Sequence, residues 1–510
     1  MSSVEAYERA RFPGSLDAPR VSALHRSERA AFSLRATHAF VDVILCYQGD
    51  PQRGHRALWL ARKIGHFIPA VTSMRAVNGR LDLRSNQSCV KRSVIDMTPT
   101  IDFCSQPDML SVEEAQSFLL ANARPLVEVQ TVETAASLGR VLAASQVSPI
   151  DVPGYDNSAM DGYAVRSEDV APSGTTQLVI SQRISAGREG GMLNPGQAAR
   201  IFTGAPMPAG ADAVVMQERC RVEGRLVCFE GPVRSGDNVR PQGNDIVRGT
   251  EVLSAGTRIR PQEMGLAASV GLATLPVFRR LRIAVLSSGD ELIRPGEPLG
   301  SGKIYNSNHY LLFGLLARLG CELSDRGTVG DDLAATEEAL QQAAEGADVI
   351  VTSGGVSVGE EDHMRQAVAR LGRLDLWRIA VKPGKPLAYG HVYDADFLGL
   401  PGNPVSVLVT FCLFVRPFLL RRQGAGEVMP RSFRVKAGFT WQKPGVRREY
   451  LRARLVPHED GEWRAEAFPK QGSDVLTSAV WADGLVEIPE GKLYGVGDDV
   501  SFLPFSELLG

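Results

Sequence analysis

A run of small, acidic and hydroxyl-bearing residues between Asp348 and Pro404 carries most of the chemistry that this sequence offers. An apolar segment, Asp348–Thr352, leads into the glycine-rich stretch Ser353–Gly359, and three carboxylates follow directly at Glu360–Asp362. Backbone N–H groups of such loops bind oxyanions, and neighbouring carboxylates are ligands for divalent cations such as Mg²⁺. The pattern therefore predicts a site for a phosphorylated ligand together with a metal ion.

Two further acidic loops, Ser287–Glu291 and Gly330–Asp332, follow predicted strands of the same region. Ligands of open α/β sheets bind beyond the carboxyl ends of the strands, so we expect the three loops to meet at one edge. A single carboxylate there is more often a helix cap or a solvated charge, but acidic residues at all three strand ends favour a site. Expected phosphate-binding residues are Ser288, Gly289, Ser353, Gly354, Gly355 and Ser357, and expected Mg²⁺ ligands are Asp290, Glu291, Asp331 and Asp362.

Two Pro-Gly turns lie beside further candidate binding groups: one is flanked by lysines, and the other precedes a predicted helix. Lys382 and Lys385 flank the first turn, and Leu400–Pro404 opens an apolar segment. Asn403 is a favourable N-cap, and proline is favoured at the first helical position. A plain structural turn is the alternative, but two lysines beside two such turns favour an anion site.

Alternating strands and helices must position these loops. From Phe278 onward, predicted strands such as Leu281–Leu286 alternate with helices such as Ser307–Leu319, which predicts a mostly parallel sheet covered on both faces. Short β segments with dense Gly and Pro precede this block from Ser148, and short strands follow it. Further elements predicted at the sequence level are helices at Glu113–Ala123 (after a capping box), Thr131–Leu142 and Val405–Arg421, a strand at Leu376–Val381, and a hairpin at Cys220–Phe229.

The bulk composition excludes several classes of protein. A net charge of −2 over 510 residues gives no overall attraction to nucleic acid or membrane. Seven cysteines without a CxxC pair argue against a disulfide framework or zinc site and favour the reducing cytoplasm. The longest apolar run, Val405–Leu420, is too short for a membrane span and predicts a buried core helix. No basic region followed by an apolar stretch opens the chain, as a secretory signal requires.

Residues 1–96 differ in charge from the rest of the chain. They carry 13 Arg and 2 Lys against 8 acidic residues, net +7, whereas residues 97–510 carry 41 basic and 50 acidic residues, net −9. A nucleic-acid-binding arm and a transit peptide are two functional interpretations, but the charges are not clustered and the acidic residues oppose both. We interpret this part as a poorly structured extension, with Met97 or Met109 as the first residue of the functional protein.

Deletion of residues 1–96 is therefore expected to leave the activity of the chain intact, because none of the predicted site residues lies there. The measurement compares the turnover of the truncated and full-length proteins. Loss of activity on truncation would contradict the interpretation.

Three polar loops of the β-rich region could close over a ligand: Val152–Val165, Ile201–Gly210 and Asn238–Asp245. Their composition alone assigns no function to them. The residues by themselves thus lead to a phosphate-binding, metal-assisted, multidomain enzyme without a named substrate.

Six phrases, spread in one order over Met109–Leu503, resemble the molybdopterin molybdenumtransferase family, which includes MoeA and the E domain of gephyrin. Each phrase is a weak signal, but six in the family's order are specific. They are Asp156–Tyr163, Thr203–Pro208, Ser288–Leu292, Ser353–Gly359, Lys382–Pro386 and Leu400–Pro404.

The resemblance implies a multidomain α/β plus β fold in a subunit that forms a homodimer. Its α/β domain, of the molybdopterin-binding type, is expected to have a mostly parallel sheet, accompanied by an inserted β-rich domain and a C-terminal β domain. The expected bounds are 1–106 for the extension, 107–153 with 250–278 for linker domain I, 154–249 for β-rich domain II, 279–424 for α/β domain III, and 425–510 for β domain IV.

The implied reaction takes adenylylated molybdopterin and molybdate, with Mg²⁺, inserts molybdenum at the dithiolene and releases AMP. A molybdopterin adenylyltransferase would act upstream. Arg378 keeps the positive charge at a position where family members often have Lys, and Arg binds oxyanions bidentately. The implied catalytic residues are Asp161, Asp245, Glu291, Asp331 and Asp362; those from the partner subunit are Asp161, Thr203, Arg240 and Asp245; those attracting molybdate or phosphate are Arg378, Lys382 and Lys385; further substrate contacts are Pro401, Asn403 and Pro404; and pterin contacts are Arg448, Arg452 and Ser473.

Two other functions fit parts of the sequence. A molybdopterin adenylyltransferase shares the α/β domain but does not need Asp156–Tyr163 or Thr203–Pro208. A scaffold related to gephyrin is expected to add a long linker and a fused adenylyltransferase domain, and we find neither pattern in the sequence.

Overall fold

The structure is a computed structural model that describes residues 109–356, 363–443 and 445–509, together with the backbone of four strands in the unit Met1–Pro99. These four strands form two antiparallel hairpins. The prediction of a poorly structured extension otherwise concerns residues outside the described ones. The strands are β1 (Ala31–Thr37), β2 (Phe40–Cys46), β3 (Arg75–Val77) and β4 (Arg80–Asp82).

The second unit, Thr100–Gly510, has its first described helix at α1 (Val112–Asn122). The Ser111 hydroxyl accepts a hydrogen bond from the Glu114 backbone N–H (3.2 Å), and the Glu114 carboxylate accepts one from the Ser111 N–H (2.9 Å). This is the predicted capping box, which satisfies two N–H groups that a helix start leaves free.

The prediction of a helix at Thr131–Leu142 is wrong. The structure has β5 (Val129–Glu133) and a single 3₁₀ turn, Thr134–Ala136, in its place. Val129, Thr131 and Val132 favour a strand locally, and β5 pairs antiparallel with Thr274–Phe278, far along the chain. That distant partner decides the conformation, and a local pattern does not reveal it.

The β-rich part contains a six-stranded sheet in the order β11-β8-β10-β9-β13-β12. The hairpin predicted around Glu223–Gly224 is confirmed as β12 and β13. A separate two-stranded ladder joins β7 to β14. The strands are β6 (Gln146–Val147), β7 (Asn157–Ser158), β8 (Gly162–Val165), β9 (Thr175–Ile184), β10 (Gln197–Ile201), β11 (Ala213–Met216), β12 (Cys220–Glu223), β13 (Leu226–Glu230) and β14 (Val239–Arg240).

The chain then returns to pair with earlier strands, β15 (Glu251–Leu253) with β6 and β16 (Thr274–Phe278) with β5, on either side of α2 (Pro261–Ser269). A second six-stranded sheet follows, in the order β20-β17-β21-β25-β24-β22. Its elements are β17 (Arg282–Ser288), β18 (Leu292–Ile293), β19 (Ile304–Tyr305), α3 (Ser307–Arg318), β20 (Glu322–Val329), α4 (Leu333–Ala344), β21 (Val349–Ser353), α5 (His363–Leu371), β22 (Gly372–Arg378), β23 (Val381–Lys382), β24 (Pro386–Val392), β25 (Ala395–Leu400) and α6 (Pro404–Arg422); β18, β19 and β23 lie outside the sheet.

The prediction of a mostly parallel, doubly covered sheet is confirmed. β20, β17, β21 and β25 are mutually parallel, whereas β24 and β22 are antiparallel. Alternate residues of β17 belong to different cores: Ile283 and Val285 pack in the cluster that includes α3 and α6, and Ala284 and Leu286 pack in the cluster that includes α4 and α5. This period of two is what a strand buried on both faces requires.

α6 confirms the predicted core helix. Among the described residues it is the one helix long and apolar enough to cross a membrane by length and composition, and 89% of its most apolar window is buried inside the protein. Phe411–Val415 is π-helical. Pro417 follows this wider turn; proline lacks an N–H and its ring clashes with the carbonyl four residues back, which a wider turn relieves.

The C-terminal strands form a sheet in the order β23-β27-β28-β26-β30-β29, closed by a further pairing of β27 with β29. The strand predicted at Leu376–Val381 is therefore corrected: β22 ends at Arg378, and β23 leaves the α/β sheet to pair with Arg448–Glu449. The remaining elements are β26 (Phe433–Ala437), β27 (Arg448–Pro457), β28 (Trp463–Ala467), α7 (Leu476–Trp481), β29 (Gly484–Ile488), β30 (Asp499–Pro504) and α8 (Phe505–Leu509).

Candidate functional site

The carboxyl ends of β17, β20 and β21 lie side by side and form one edge of the α/β sheet, which we call the acidic edge. The Ser288 hydroxyl at the end of β17 lies 3.5 Å from the Asp331 Oδ1 in the loop after β20. In the loop after β21, the Gly354 N–H donates to the Leu400 carbonyl at the end of β25 (3.2 Å). The three loops expected to meet at one edge thus come together in the structure.

Two carboxylates are fixed close to each other at the acidic edge. The Asp331 N–H donates to Oδ1 of Asp290 (3.1 Å), and the Asp290 N–H lies 3.5 Å from Oδ2 of Asp331. Both residues are exposed. This reciprocal arrangement holds the two side chains in place while leaving lone pairs on both carboxylates for a cation.

The acidic edge fits Mg²⁺ in type and number of donors. In the parts of the chain that the structure describes, no group of three or more His, Cys, Asp or Glu residues could hold a metal ion, and the expected residues Ser357 and Asp362 lie outside those parts. Mg²⁺, however, keeps several waters and needs only one or two carboxylates plus phosphate oxygens. Asp290 and Asp331 can supply these two carboxylates.

Glu291 and Lys303 border the same carboxylates. A Cβ placed on Gly289 would lie 2.4 Å from Oε2 of Glu291, so the exposed Glu291 side chain folds back over the strand end. The Lys303 ammonium donates to the Asp290 carbonyl (2.5 Å). Sequence reasoning did not select Lys303; its signal was the phrase Gly300–Lys303, which is similar to part of a phosphate-binding loop but lacks the rest of that motif.

The glycines after β21 are required by close packing. Gly354 has φ +86°, and a Cβ there would lie 2.3 Å from the Ser288 carbonyl oxygen. A Cβ on Gly355 would lie 3.0 Å from the Ser288 hydroxyl. Only glycine lets this loop approach β17 so closely, which brings its backbone to the acidic edge.

The start of α6 is anchored beside this edge. The Asn308 amide on α3 donates to the Gly402 carbonyl (2.6 Å), and the Val405 N–H donates to the Ser473 carbonyl (3.0 Å). Asn403 is exposed at the N-cap position, and its side chain makes no capping hydrogen bond. The loop Pro401–Pro404 and Ser473 are therefore held together, with the Asn403 amide directed to solvent rather than used by the helix.

The predicted cations have different surroundings. Lys382 is half exposed and lies 3.0 Å from the Glu449 carboxylate of β27. Lys385 and Arg378 are exposed, and neither forms an ion pair with a described residue. The positive charge available for an oxyanion thus comes from Lys385 and Arg378 more than from Lys382.

The expected pterin contacts of Arg452 and Arg448 are not supported. Arg452 is 1% exposed and donates to the Ser478 hydroxyl and the Gly472 carbonyl (both 3.0 Å), so it is a structural residue of domain IV. Arg448 pairs with Glu113 and also with Glu487 and Glu490 (3.2 and 3.3 Å). Its charge is already compensated by three carboxylates.

A second group of predicted residues comes together in the β-rich part. The Asp161 carboxylate accepts hydrogen bonds from both the N–H and the hydroxyl of Thr203 (2.8 Å each). These bonds hold the pKa of Asp161 below its usual value. Arg240 lies opposite Asn157 in the β14–β7 ladder, so the three polar loops meet at one place.

Asp245 follows at the end of the third loop, where it is exposed and its N–H donates to the Val152 carbonyl (2.9 Å). We call Asp161, Thr203, Arg240 and Asp245 the β-loop group. Within the described parts of the chain, no hydrogen bond or ion pair joins this group to the acidic edge. The structure therefore contains two groups of candidate residues.

Comparison with protein families matches three successive regions of the chain. Residues 110–271 match the MoeA N-terminal region (domain I and II), residues 284–421 match the probable molybdopterin binding domain, and residues 434–505 match the MoeA C-terminal region (domain IV). The acidic edge lies in the second region, and the β-loop group lies in the first.

Individual proteins similar to this chain belong to the same family. The chain is 37% identical to the molybdopterin molybdenumtransferase of Haemophilus influenzae over 79% of this chain and 100% of that protein, and 36% identical to that of a Nostoc species over 82% and 99%. It matches the crystal structure of the molybdopterin biosynthesis MoeA protein of Pyrococcus horikoshii OT3 with a TM-score of 0.68 at 28% identity, over 78% and 100% of the two chains. This chain belongs to the MoeA family of molybdopterin molybdenumtransferases.

Proposed function

We propose that this protein transfers molybdenum from molybdate to the dithiolene of adenylylated molybdopterin and releases AMP, in molybdenum cofactor biosynthesis. The single observation that carries the proposal is the acidic edge, where Asp290 and Asp331 are held together beside the glycines Gly354 and Gly355. Carboxylates beside a glycine-rich loop suit a metal-bound diphosphate better than a neutral ligand.

The acidic edge would position the nucleotide part of the substrate. Mg²⁺ bound there would neutralise phosphate charge and polarise the diphosphate bond. Asp290 and Asp331 would hold it, with Glu291 as a third carboxylate nearby. The Ser288 hydroxyl and the N–H groups that follow Gly354 in the loop after β21 would donate to phosphate oxygens, because a hydrogen bond to a charged oxygen is stronger than one between neutral groups.

Molybdate is a tetrahedral dianion and needs positive charge and donors. Lys385 and Arg378 are exposed cations without an ion-pair partner among the described residues, and the Asn403 amide is free of capping. Arg378 ends β22, Lys385 directly precedes β24, and Asn403 directly precedes α6. We assign them the capture of molybdate, with Lys382 as a weaker contributor because Glu449 already compensates its charge.

A homodimer would complete the site. The β-loop group has no described contact with the acidic edge of its own chain, so we assign Asp161, Thr203, Arg240 and Asp245 to the active site of the partner subunit. An upstream molybdopterin adenylyltransferase would supply the substrate, and the cytoplasm is the proposed compartment. Each of these statements rests on the proposed reaction.

Release of AMP that depends on molybdate is the test of this function. Purified protein with adenylylated molybdopterin and Mg²⁺ is expected to release AMP at least about tenfold faster when molybdate is added, because the adenylyl group leaves as molybdenum enters. The control replaces molybdate with sulfate, a tetrahedral dianion that supplies no metal.

Two outcomes would reject the proposal. AMP release that is the same with molybdate and with sulfate would point to simple hydrolysis. Transfer of AMP from ATP to free molybdopterin, without molybdate-dependent release, would identify a molybdopterin adenylyltransferase instead.

A further inference from the structure

Two arginines lie side by side near the carboxyl ends of β9 and β10, the central strands of the β-rich sheet. β9 and β10 are parallel, and their register places Arg183 directly beside Arg200. On the other side of β10, antiparallel β8 places Tyr163 opposite Arg200. The three side chains therefore lie in one row across the sheet, on the same face.

Phe202, just beyond the end of β10, contacts this row. Its ring centroid lies 4.7 Å from the Cζ of Arg183 and 4.7 Å from the Cζ of Arg200, and the Cζ of Arg200 lies 5.2 Å from the centroid of Tyr163. Cation–π contact fixes the planes of both guanidinium groups without using their N–H donors. We call Arg183, Arg200 and Phe202 the arginine ledge.

The arginines of the ledge have no direct acidic partner among the described residues. Arg200 donates to two neutral acceptors, the Gln217 side chain (2.6 Å) and the Gly162 carbonyl (3.0 Å), and Arg183 is exposed. Neither arginine forms an ion pair with any residue that the structure describes. Like charges on neighbouring strands repel each other, so an anion between them would relieve a cost that the free protein carries.

Other arginines of the same sheet do have acidic partners. Arg221 on β12 lies 2.5 Å from Glu223, and Arg166, just after β8, pairs with Glu168 and Asp169. Arg221 and Arg166 thus have acidic partners on their own segments, which Arg183 and Arg200 do not.

The ledge is continuous with the β-loop group. Phe202 precedes Thr203, and Thr203 uses both its N–H and its hydroxyl to hold Asp161. Asp161 forms no ion pair with Arg200, but in addition to the Thr203 hydrogen bonds the charge of Arg200 helps to lower the pKa of Asp161. The ledge and the β-loop group thus present separate positive and negative groups along one surface.

We propose that the arginine ledge is a second oxyanion subsite, which binds a phosphate group of the pterin substrate. Two guanidinium planes fixed beside one aromatic ring can each bind two oxygens of a tetrahedral dianion at once, which the ammonium group of a lysine does not. This inference rests on the proposed function, and it assigns to Arg183 and Arg200 the binding of substrate rather than the chemical step.

Protection from chemical modification tests the subsite in the full-length, unmodified protein. Phenylglyoxal reacts with free guanidinium groups, and the modified peptides are quantified by mass spectrometry. Inorganic phosphate is expected to slow modification of Arg183 about fivefold or more, because bound phosphate occupies the reactive N–H groups. Arg221, equally a surface arginine of the same sheet, is the internal control, and its rate is expected to change less than about twofold, because Glu223 and not phosphate is its partner.

AMP serves as a second probe and separates the two sources of phosphate in the substrate. Protection of Arg183 by both phosphate and AMP would assign the nucleotide phosphate to the ledge. Protection by phosphate but not by AMP would assign the phosphate of the pterin part. Either result supports the subsite, whereas equal modification rates with and without phosphate would overturn it.

Matched variants relate the subsite to turnover. Arg183→Gln is expected to raise KM for adenylylated molybdopterin about tenfold with kcat unchanged, since a charge-assisted contact made equally in the ground and transition states affects binding only. Arg183→Lys should recover part of the loss, and Arg221→Gln, with the same change in net charge, should leave KM unchanged. A KM for Arg183→Gln equal to that of Arg221→Gln would reject the inference, while molybdate-dependent AMP release by the wild type would still support the proposed function.

Discussion

Glu291→Ala is expected to lower the rate of molybdate-dependent AMP release about 100-fold or more. Removing a carboxylate that stabilises a metal-bound diphosphate costs several kcal/mol in the transition state. Glu291 is exposed and folds back over Gly289, so its loss should leave the stability of the domain unchanged. The measurements are initial rates of AMP release and, in parallel, the midpoint of thermal unfolding.

Glu297→Ala is the matched control for this variant. Glu297 is also exposed and lies after β18, on the segment that leads to β19, where its backbone carbonyl, not its carboxylate, accepts a hydrogen bond from Tyr305 (3.0 Å). The change in net charge is the same, and full activity is expected. If the two variants had equal turnover, the role assigned to Glu291 would be withdrawn.

Subunit mixing extends this test to the proposed dimer. Asp161→Ala should be as inactive as Glu291→Ala, but the two substitutions lie in different groups of residues. If each active site takes Asp161 from one subunit and Glu291 from the other, a mixed dimer carries one intact site. Co-expression of the two variants should then restore about a quarter of wild-type activity, since about half of the dimers are mixed. Absence of any recovery would place both residues in the site of a single subunit.

The α/β domain could be predicted from the sequence because its pattern is local. Apolar strands alternate with amphipathic helices, and the carboxyl-end rule for such sheets then brings Ser288, Asp331 and Gly354 to one edge. The capping box at Ser111 is equally local. These are the features that the structure reproduces almost residue by residue.

The features that could not be predicted depend on distant partners. The prediction of a helix at Thr131–Leu142 fails because the strand that forms there, β5, pairs with β16, which lies far along the chain. Lys382 is predicted to offer its charge to an oxyanion, but β23 pairs with β27 and brings it to Glu449. The burial of Arg452 follows from contacts within domain IV. A single sequence contains no signal for such long-range pairings.

The arginine ledge is likewise a feature that the sequence alone does not predict. Arg183 and Arg200 are separated along the chain by the loop that joins β9 to β10, and only the parallel register of these strands makes them neighbours. Neither residue belongs to a phrase that carries the family resemblance. The ledge therefore becomes visible only once the register of the sheet is known.

Asp348→Ala is expected to destabilise the α/β domain by about 3–5 kcal/mol, the usual cost of removing one partner from a buried ion pair. Arg279 is 9% exposed and donates to both oxygens of Asp348 (2.7 Å each), while the Arg282 N–H donates to the same carboxylate (2.8 Å). Without Asp348, the one acidic partner that Arg279 keeps among the described residues is Glu128, which is 64% exposed. A buried, under-compensated guanidinium is the physical cause of the loss.

Calorimetry measures this effect as a fall in the unfolding midpoint of about 10 °C. Asp394→Ala, at an exposed turn between β24 and β25, makes the same change in net charge and should shift the midpoint by no more than about 2 °C. Because Asp348 directly precedes β21, whose other end forms the acidic edge, molecules that remain folded should keep their turnover. Equal midpoints for the two variants would show that the Arg279–Asp348 pair contributes no stability.

The difference in unfolding midpoint between wild type and Asp348→Ala depends on pH, and the pKa of Asp348 determines how. Burial opposes ionisation of this carboxyl, but the hydrogen bonds from Arg279 and Arg282 outweigh burial, so its pKa lies below the usual value. A carboxyl with a lowered folded-state pKa stabilises the protein above its unfolded pKa of about 3.9, and this contribution is lost as the pH falls towards the folded value. The midpoints of wild type and Asp348→Ala should therefore differ by a constant amount between about pH 6 and pH 8 and converge below about pH 4. A difference that instead grows on acidification would mean that the carboxyl is protonated in the folded protein at neutral pH and that the ion pair is absent.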